Sequence, residues 1–84
     1  MITLRLLGGV RNSLGKNIMQ IDKPNVTIKN ILTLLNNSKK DNGFIDENNL
    51  MIALNGVDIE MLEGNNTVAK SGDTVTIVTI VHGG

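Results

Sequence analysis

Residues 74–84 read TVTIVTIVHGG. The stretch is rich in β-branched residues, apolar side chains fall on both phases of its alternation, and it stops on two glycines. It predicts a strand over Thr74–Val81, turned into by Gly72-Asp73. What fold this last strand completes depends on the elements before it. At the other end of the chain, Ile2, Leu4 and Leu6 alternate with Thr3 and Arg5, the period of a half-buried strand. Gly8-Gly9 ends it, and residues 10–16 (VRNSLGK) read as a loop with room for a helical turn. Residues 17–22 (NIMQID) alternate again through Ile18 and Ile21, giving a second strand antiparallel to the first.

Pro24 and Asn25 break that pattern, and Thr27 then opens the one long helix. Ile28, Ile31, Leu32 and Leu35 stand at i, i+3, i+4 and i+7, a single apolar stripe. Thr27 is the expected N-cap, its hydroxyl accepting from an orphan amide of the first turn. Asn36-Asn37 and Lys39-Lys40 suit the C-terminal end, where cations meet the negative end of the dipole. Residues 41–49 form a polar loop with Phe44 and Ile45 tucked inward. A third strand follows, with Leu50, Ile52 and Leu54 on one face, and Asn55-Gly56 marks a tight turn that needs positive φ. Residues 57–60 (VDIE) read as a short fourth strand. Residues 61–73 read as irregular, with Leu62 and Val68 as core anchors.

The order is two strands, a helix, two strands and a final strand. The expected class is α+β, a β-grasp with a mixed sheet of four to five strands and the main helix on one face. The first and last strands then lie side by side and parallel at the centre, joined by a right-handed crossover. Residues 1–81 would form the domain and residues 82–84 a flexible diglycine tail.

The totals narrow the chemistry. In 84 residues there are ten Ile, ten Leu and seven Val but one aromatic, Phe44, so the core must be aliphatic. With no Cys, disulfides, thiolate metal sites and a cysteine nucleophile are excluded. Eight basic residues balance eight acidic ones, which leaves no electrostatic footprint for nucleic acid or an anionic membrane. No stretch approaches the roughly 18–20 apolar residues of a membrane span. The start of the chain reads directly as strand, without a signal peptide, and a cytoplasmic protein is expected.

The catalytic inventory is thin. His82 is the single histidine, two residues from the last one, and the acids are scattered, so neither a catalytic triad nor a metal site is expected. The glycines and lysine of residues 6–16 lack the spacing of a phosphate-binding loop. There remains the carboxylate of Gly84. It becomes an acyl donor once its oxygen is made a good leaving group, as adenylation by a partner enzyme would do. Glycine suits a narrow slot, having no Cβ to shield the carbonyl. Val81 to Gly84 would reach roughly 13 Å when extended. Ordering a tail costs about 1–2 kcal/mol per residue, so docking must draw on the folded sheet. With Val75 and Ile77 turned to the helix, Val78 and Ile80 face away from it, beside Thr3 and Arg5 and beside Met51 and Ala53. Those six form an expected apolar patch with one cation, on the helix-free face next to the tail.

At this point the chain resembles a known family, the MoaD/ThiS-like ubiquitin-like sulfur carriers, which include the ubiquitin-related modifiers. VRNSLGK (10–16) is similar to the family's loop after its first strand. VTIKNILTLL (26–35) resembles its helix entry, MIALNG (51–56) its third strand, SGDTVTI (71–77) the opening of its last strand, and HGG (82–84) its terminus. The resemblance covers nearly the whole chain. Small subunits of molybdopterin synthase carry prolines before the tail, where this chain has Thr79 and Ile80. A His directly before the diglycine looks more like the ubiquitin-related modifier branch.

The resemblance implies a ubiquitin-like carrier that is a co-substrate and not a catalyst. Gly83 and Gly84 would be the activated C-terminus. An E1-like enzyme, using ATP and magnesium, would adenylate Gly84, and a sulfur donor would then leave a thiocarboxylate. The sulfur would go to tRNA thiolation or cofactor synthesis, or a target lysine would take the carbonyl in an isopeptide bond. His82, Ile80, Val78, Met51, Ala53 and Arg5 would contact the partner; no cofactor would be bound, and no nucleic acid or membrane would be contacted directly. Alternatives are a molybdopterin-synthase small subunit, a β-grasp binding module with an inert tail, and a small enzyme using His82.

Overall fold

The computed structural model describes residues 1–38 and 49–79. Strand β1 (Ile2–Leu7) leads into a short helix α1 (Gly9–Leu14), then strands β2 (Ile18–Ile21) and β3 (Asn25–Thr27). Helix α2 (Ile28–Ser38) is followed by β4 (Leu50–Leu54), β5 (Val57–Asp58), β6 (Val68–Lys70) and β7 (Thr74–Thr79). The main sheet has the order β2-β1-β7-β4-β5, and β3 pairs with β6 in a second, two-stranded sheet. β1 and β7 are parallel at the centre, while β2 and β4 flank them antiparallel. This is the β-grasp arrangement expected from the element order.

The core forms where α2 meets the sheet. Ile28, Ile31, Leu32 and Leu35 are all buried, against Leu4 and Leu6 of β1, Ile52 of β4 and Val75 and Ile77 of β7. Leu50 and Leu54 pack against the same cluster, so the inward face of β4 is the expected one. Thr27 caps α2 as expected: its Oγ1 accepts from the Asn30 N–H at 3.2 Å. The Ile28 N–H is taken by the carbonyl of Thr67, 3.0 Å away, which ties the helix entry to the segment before β6. Each of these four buried aliphatic side chains contributes about 1.5–3 kcal/mol to the packing of α2 on the sheet.

Four expectations are corrected. Residues 9–14 form a helix, not a loop with one turn, because Val10 and Leu14 share one face and both enter the core. Gly15 closes that helix, its N–H donating to the Arg11 carbonyl at 2.9 Å. On β2 the phase differs: Met19 and Ile21 lie opposite Leu4 and Ile2, while Ile18 lies opposite Arg5 and turns outward. The fourth strand stops at Asp58, whose Oδ1 accepts from the Glu60 N–H at 2.9 Å and turns Ile59–Met61 into a 3-10 turn. Residues 61–73 hold a second 3-10 turn, Gly64–Asn66, and β6.

The anchors of that last segment also differ. Leu62 and Val68 are 45% and 42% exposed. Ile59, Ala69 and Thr67 are buried in their place. The pairing of β3 with β6 sets Val26 opposite Ala69 and turns both inward, which leaves Val68 on the outer face. The Lys39-Lys40 end of the helix, Phe44 and Ile45, and the last strand beyond Thr79 lie outside the described residues.

The sheet face beside the tail

The helix-free face is built by strand register. Leu7 of β1, Val78 of β7 and Met51 of β4 are direct partners and form one row across the sheet. Arg5, Thr76 and Ala53 form the next row, extended by Ile18 of β2. Side chains that are direct partners in a ladder share a face. Since Leu4, Leu6, Ile52, Val75 and Ile77 fill the helix side, these rows lie on the other one. Met51 and Ile18 are 51% and 55% exposed, Leu7 is 36% exposed, and Val78, Thr76 and Ala53 are half-buried. The face therefore presents an apolar strip next to one exposed guanidinium, Arg5.

Of the residues expected on this surface, Thr3, Arg5, Met51, Ala53 and Val78 are brought together. Ile80, His82, Gly83 and Gly84 lie outside the described residues. Leu7 and Ile18 are additions that the sequence reading missed. Leu7 carries a readable signal: it breaks phase with Ile2, Leu4 and Leu6, so alternation turns it outward. Ile18 carries one only in the register, since its direct partner is Arg5.

Thr79, the last described residue of β7, is held from two sides. The Thr79 Oγ1 accepts from the Val10 N–H at 2.7 Å, so the last described residue caps the first turn of α1. Gly8 sits against the same residue with φ 69° and ψ −143°. A Cβ at Gly8 would stand 3.0 Å from the Thr79 carbonyl oxygen. Only glycine combines that backbone conformation with that approach. Gly8-Gly9, which the sequence shows only as a strand breaker, thus seats the end of β7.

The start of β7 is fixed by a different unit. Asn55 and Gly56 have φ 51° and 84°, the doubly positive turn expected between β4 and β5. The Asn55 side chain then reaches across: its Nδ2 donates to Asp73 Oδ1 at 3.0 Å, and its Oδ1 accepts from the Thr74 N–H at 2.9 Å. Asp73 Oδ2 accepts from the Lys70 N–H at 2.8 Å. The Asn55 amide, and after it the Lys70 N–H, hold the Asp73 carboxyl below its ordinary range. The Asn-Gly and Gly-Asp pairs, separate in sequence, are one hydrogen-bonded latch that aligns β7 with β4.

Among the described residues no three His, Cys, Asp or Glu side chains cluster as metal ligands, and no helix is long and apolar enough to cross a membrane. What the geometry offers is an exposed apolar strip beside Arg5 on the helix-free face and a Thr79 held against Gly8 and Val10. A five-stranded sheet with parallel central strands gripping one main helix defines the class, a ubiquitin-like β-grasp domain.

Solved structures share that fold across almost the whole chain. Urm1 from Trypanosoma brucei is 21% identical, with a TM-score of 0.75 over 99% of this chain and 94% of that one. The small archaeal modifier protein 1 from Methanosarcina acetivorans is 22% identical, with a TM-score of 0.77 over 99% and 95%. A chain of the BexX/CysO complex of Amycolatopsis orientalis is 19% identical, with a TM-score of 0.72 over the full length of both. Among curated proteins no sequence match is found. The model of the ThiS family matches residues 4–84, and the chain belongs to that family.

Proposed function

We propose that this chain is a ubiquitin-like sulfur carrier or protein modifier whose Gly84 carboxylate is the working group. In this reading an E1-like enzyme binds ATP and magnesium and lets the Gly84 carboxylate attack the α-phosphorus, with loss of pyrophosphate. Hydrosulfide released by a sulfur donor then displaces AMP at the acyl carbon and leaves a C-terminal thiocarboxylate. That sulfur passes to a tRNA uridine or a cofactor precursor, or a lysine amine takes the activated carbonyl and forms an isopeptide bond. The protein is consumed or recycled in these steps and is not their catalyst.

The chain's own residues have a mechanical part. Arg5, Met51, Ala53 and Val78, with Leu7 and Ile18, would supply the docking contacts, and His82 and Ile80 would extend them toward the tail. Thr79, bonded to the Val10 N–H and packed against Gly8, is the last described point of β7, and ordering the residues that follow it would cost the partner about 1–2 kcal/mol each. The observation that carries the reading is the family match, which runs through the sheet into Gly83-Gly84. Appending a bulky tag after Gly84 tests it. A carrier then loses adenylation and every downstream transfer while its fold is intact; a binding module with an inert tail keeps its activity and would overturn the reading.

A further inference from the structure

Among the described residues β2 is the outer strand of the main sheet, with β1 as its one neighbour there. The Leu6 N–H donates to the Asn17 carbonyl at 2.8 Å, and the register continues through Leu4–Met19 and Ile2–Ile21. In an antiparallel ladder alternate residues point their backbone groups to opposite sides. Asn17, Met19 and Ile21 therefore face β1, and Ile18 and Gln20 direct their N–H and C=O groups to the open edge. Lys16 and Asp22 stand one alternation step beyond, at either end.

Edges of this kind are usually blunted by charge, proline or a bulge. Residues 18–21 (IMQI) contain no charge and no proline, and the Ile18 side chain is more than half exposed. Lys16, Asn17, Gln20 and Asp22 are exposed as well. We propose that this edge pairs with the same edge of a second copy of the chain, antiparallel, to give a two-fold dimer whose sheet runs through both copies. A two-fold pairing is isologous, so each contact occurs twice.

Charge selects the register. Edge-facing residues must oppose edge-facing residues, so allowed registers differ by two. One of them sets Met19 opposite Met19 of the second copy, Ile18 opposite Gln20, and Lys16 opposite Asp22, twice over. Shifting one way sets Ile18 opposite itself and leaves Asp22 opposite the buried Leu14. Shifting the other way sets Asp22 opposite Ile18 and Lys16 opposite Pro24. Only the first register satisfies both charges. It leaves the Leu7–Val78–Met51 row uncovered, so it does not depend on the proposed function and does not exclude it.

Sedimentation velocity of the full chain, from micromolar to millimolar concentration at low salt, tests this. The wild type self-associates to a dimer. Lys16→Asp and Asp22→Lys each turn both symmetric pairs into like-charge pairs and weaken association on the order of tenfold or more. An equimolar mixture of the two variants recovers wild-type affinity. In the mixed dimer one chain is acidic at both positions and the other basic at both, so each pair again joins opposite charges. Both sites are exposed, and circular dichroism confirms that each variant is folded. A wild type that stays monomeric to millimolar concentration, single variants that associate as tightly as wild type, or a mixture no tighter than its components overturns the proposal.

Discussion

Replacing Gly8 by alanine isolates the contact that seats Thr79 at the end of β7, provided Gly56→Ala is measured beside it. Both glycines have positive φ, 69° and 84°, so both substitutions carry backbone strain. They differ in surroundings. A Cβ at Gly56 meets nothing within 4 Å, whereas at Gly8 it stands 3.0 Å from the Thr79 carbonyl oxygen. The strain at Gly56 costs about 1–2 kcal/mol, as for an L-residue in left-handed backbone. Gly8, with its ψ of −143°, lies in a region almost restricted to glycine and costs about 1–3 kcal/mol before any contact is counted. The oxygen it meets is main chain and cannot rotate away, so overpacking adds about 1–3 kcal/mol. Urea denaturation should place Gly8→Ala below Gly56→Ala by about 1–4 kcal/mol, with melting temperatures about 4–8 °C apart per kcal/mol for a domain of this size. Amide shifts of Val10 and Thr79 should move in Gly8→Ala and stay put in Gly56→Ala. Equal stabilities, or an unmoved Val10 amide, would refute the idea that Gly8 seats Thr79.

Met51→Asp should leave the unfolding free energy from urea denaturation within about 0.5 kcal/mol of wild type, since half of that side chain is in water, yet weaken binding to the proposed activating enzyme at least tenfold. Titration calorimetry of the folded variant reads that separation directly. Leu35→Ala removes a fully buried side chain from the α2 stripe and should destabilise by about 2–5 kcal/mol, measured by the same denaturation. Asp73 has a folded-state pKa below its unfolded one, because the Asn55 amide and the Lys70 N–H favour the carboxylate. Its contribution is therefore complete above the unfolded pKa and fades as pH falls from about 4 through the folded value. Asp73→Ala should remove that part of the acid limb of the stability–pH curve; an unchanged limb would show that the latch is not felt.

The parts of the fold that are legible in the sequence are those whose period outlasts local noise. The α2 stripe repeats over four apolar positions and its Thr27 cap is one residue away, so both read directly. β1, β4 and β7 alternate for five residues or more around the core. α1 is hidden because six residues give only one i, i+4 pair, Val10 and Leu14, between glycines that also suit a loop. β3 and β6 have three residues each and owe their existence to a partner more than forty positions away in sequence. No local pattern announces that pairing, and Leu62 and Val68 read as core anchors on hydrophobicity alone. Ile18 misleads for a related reason. A strand with one neighbour takes its phase from the register, and the hydrophobicity of residues 17–22 fits either phase.

The docking face is legible in outline because β7 is apolar on both phases, so one set of side chains must face away from α2. Its edges are only partly so. Leu7 could be read from the alternation of β1, but Ile18 joins the face only once β2 is set in register with β1. The seat of Thr79 on Gly8 and Val10, and the Asn55–Asp73 latch, are tertiary contacts between residues at least 18 positions apart. Each motif is visible alone, but nothing in the sequence says that Asn55 reaches Asp73.

Intact mass spectrometry of the chain, purified from its native host or incubated with an E1-like enzyme, ATP and a sulfur source, reads the state of the last carbonyl itself. The expected product is an oxygen-to-sulfur mass increase that fragmentation localises to the C-terminal residues, or, after digestion with trypsin, Ser71–Gly84 branches on lysines of other proteins, since Lys70 is the last tryptic site. A C-terminus that an authentic activating enzyme neither adenylates nor thiolates, in a folded chain with the sheet face open, contradicts it.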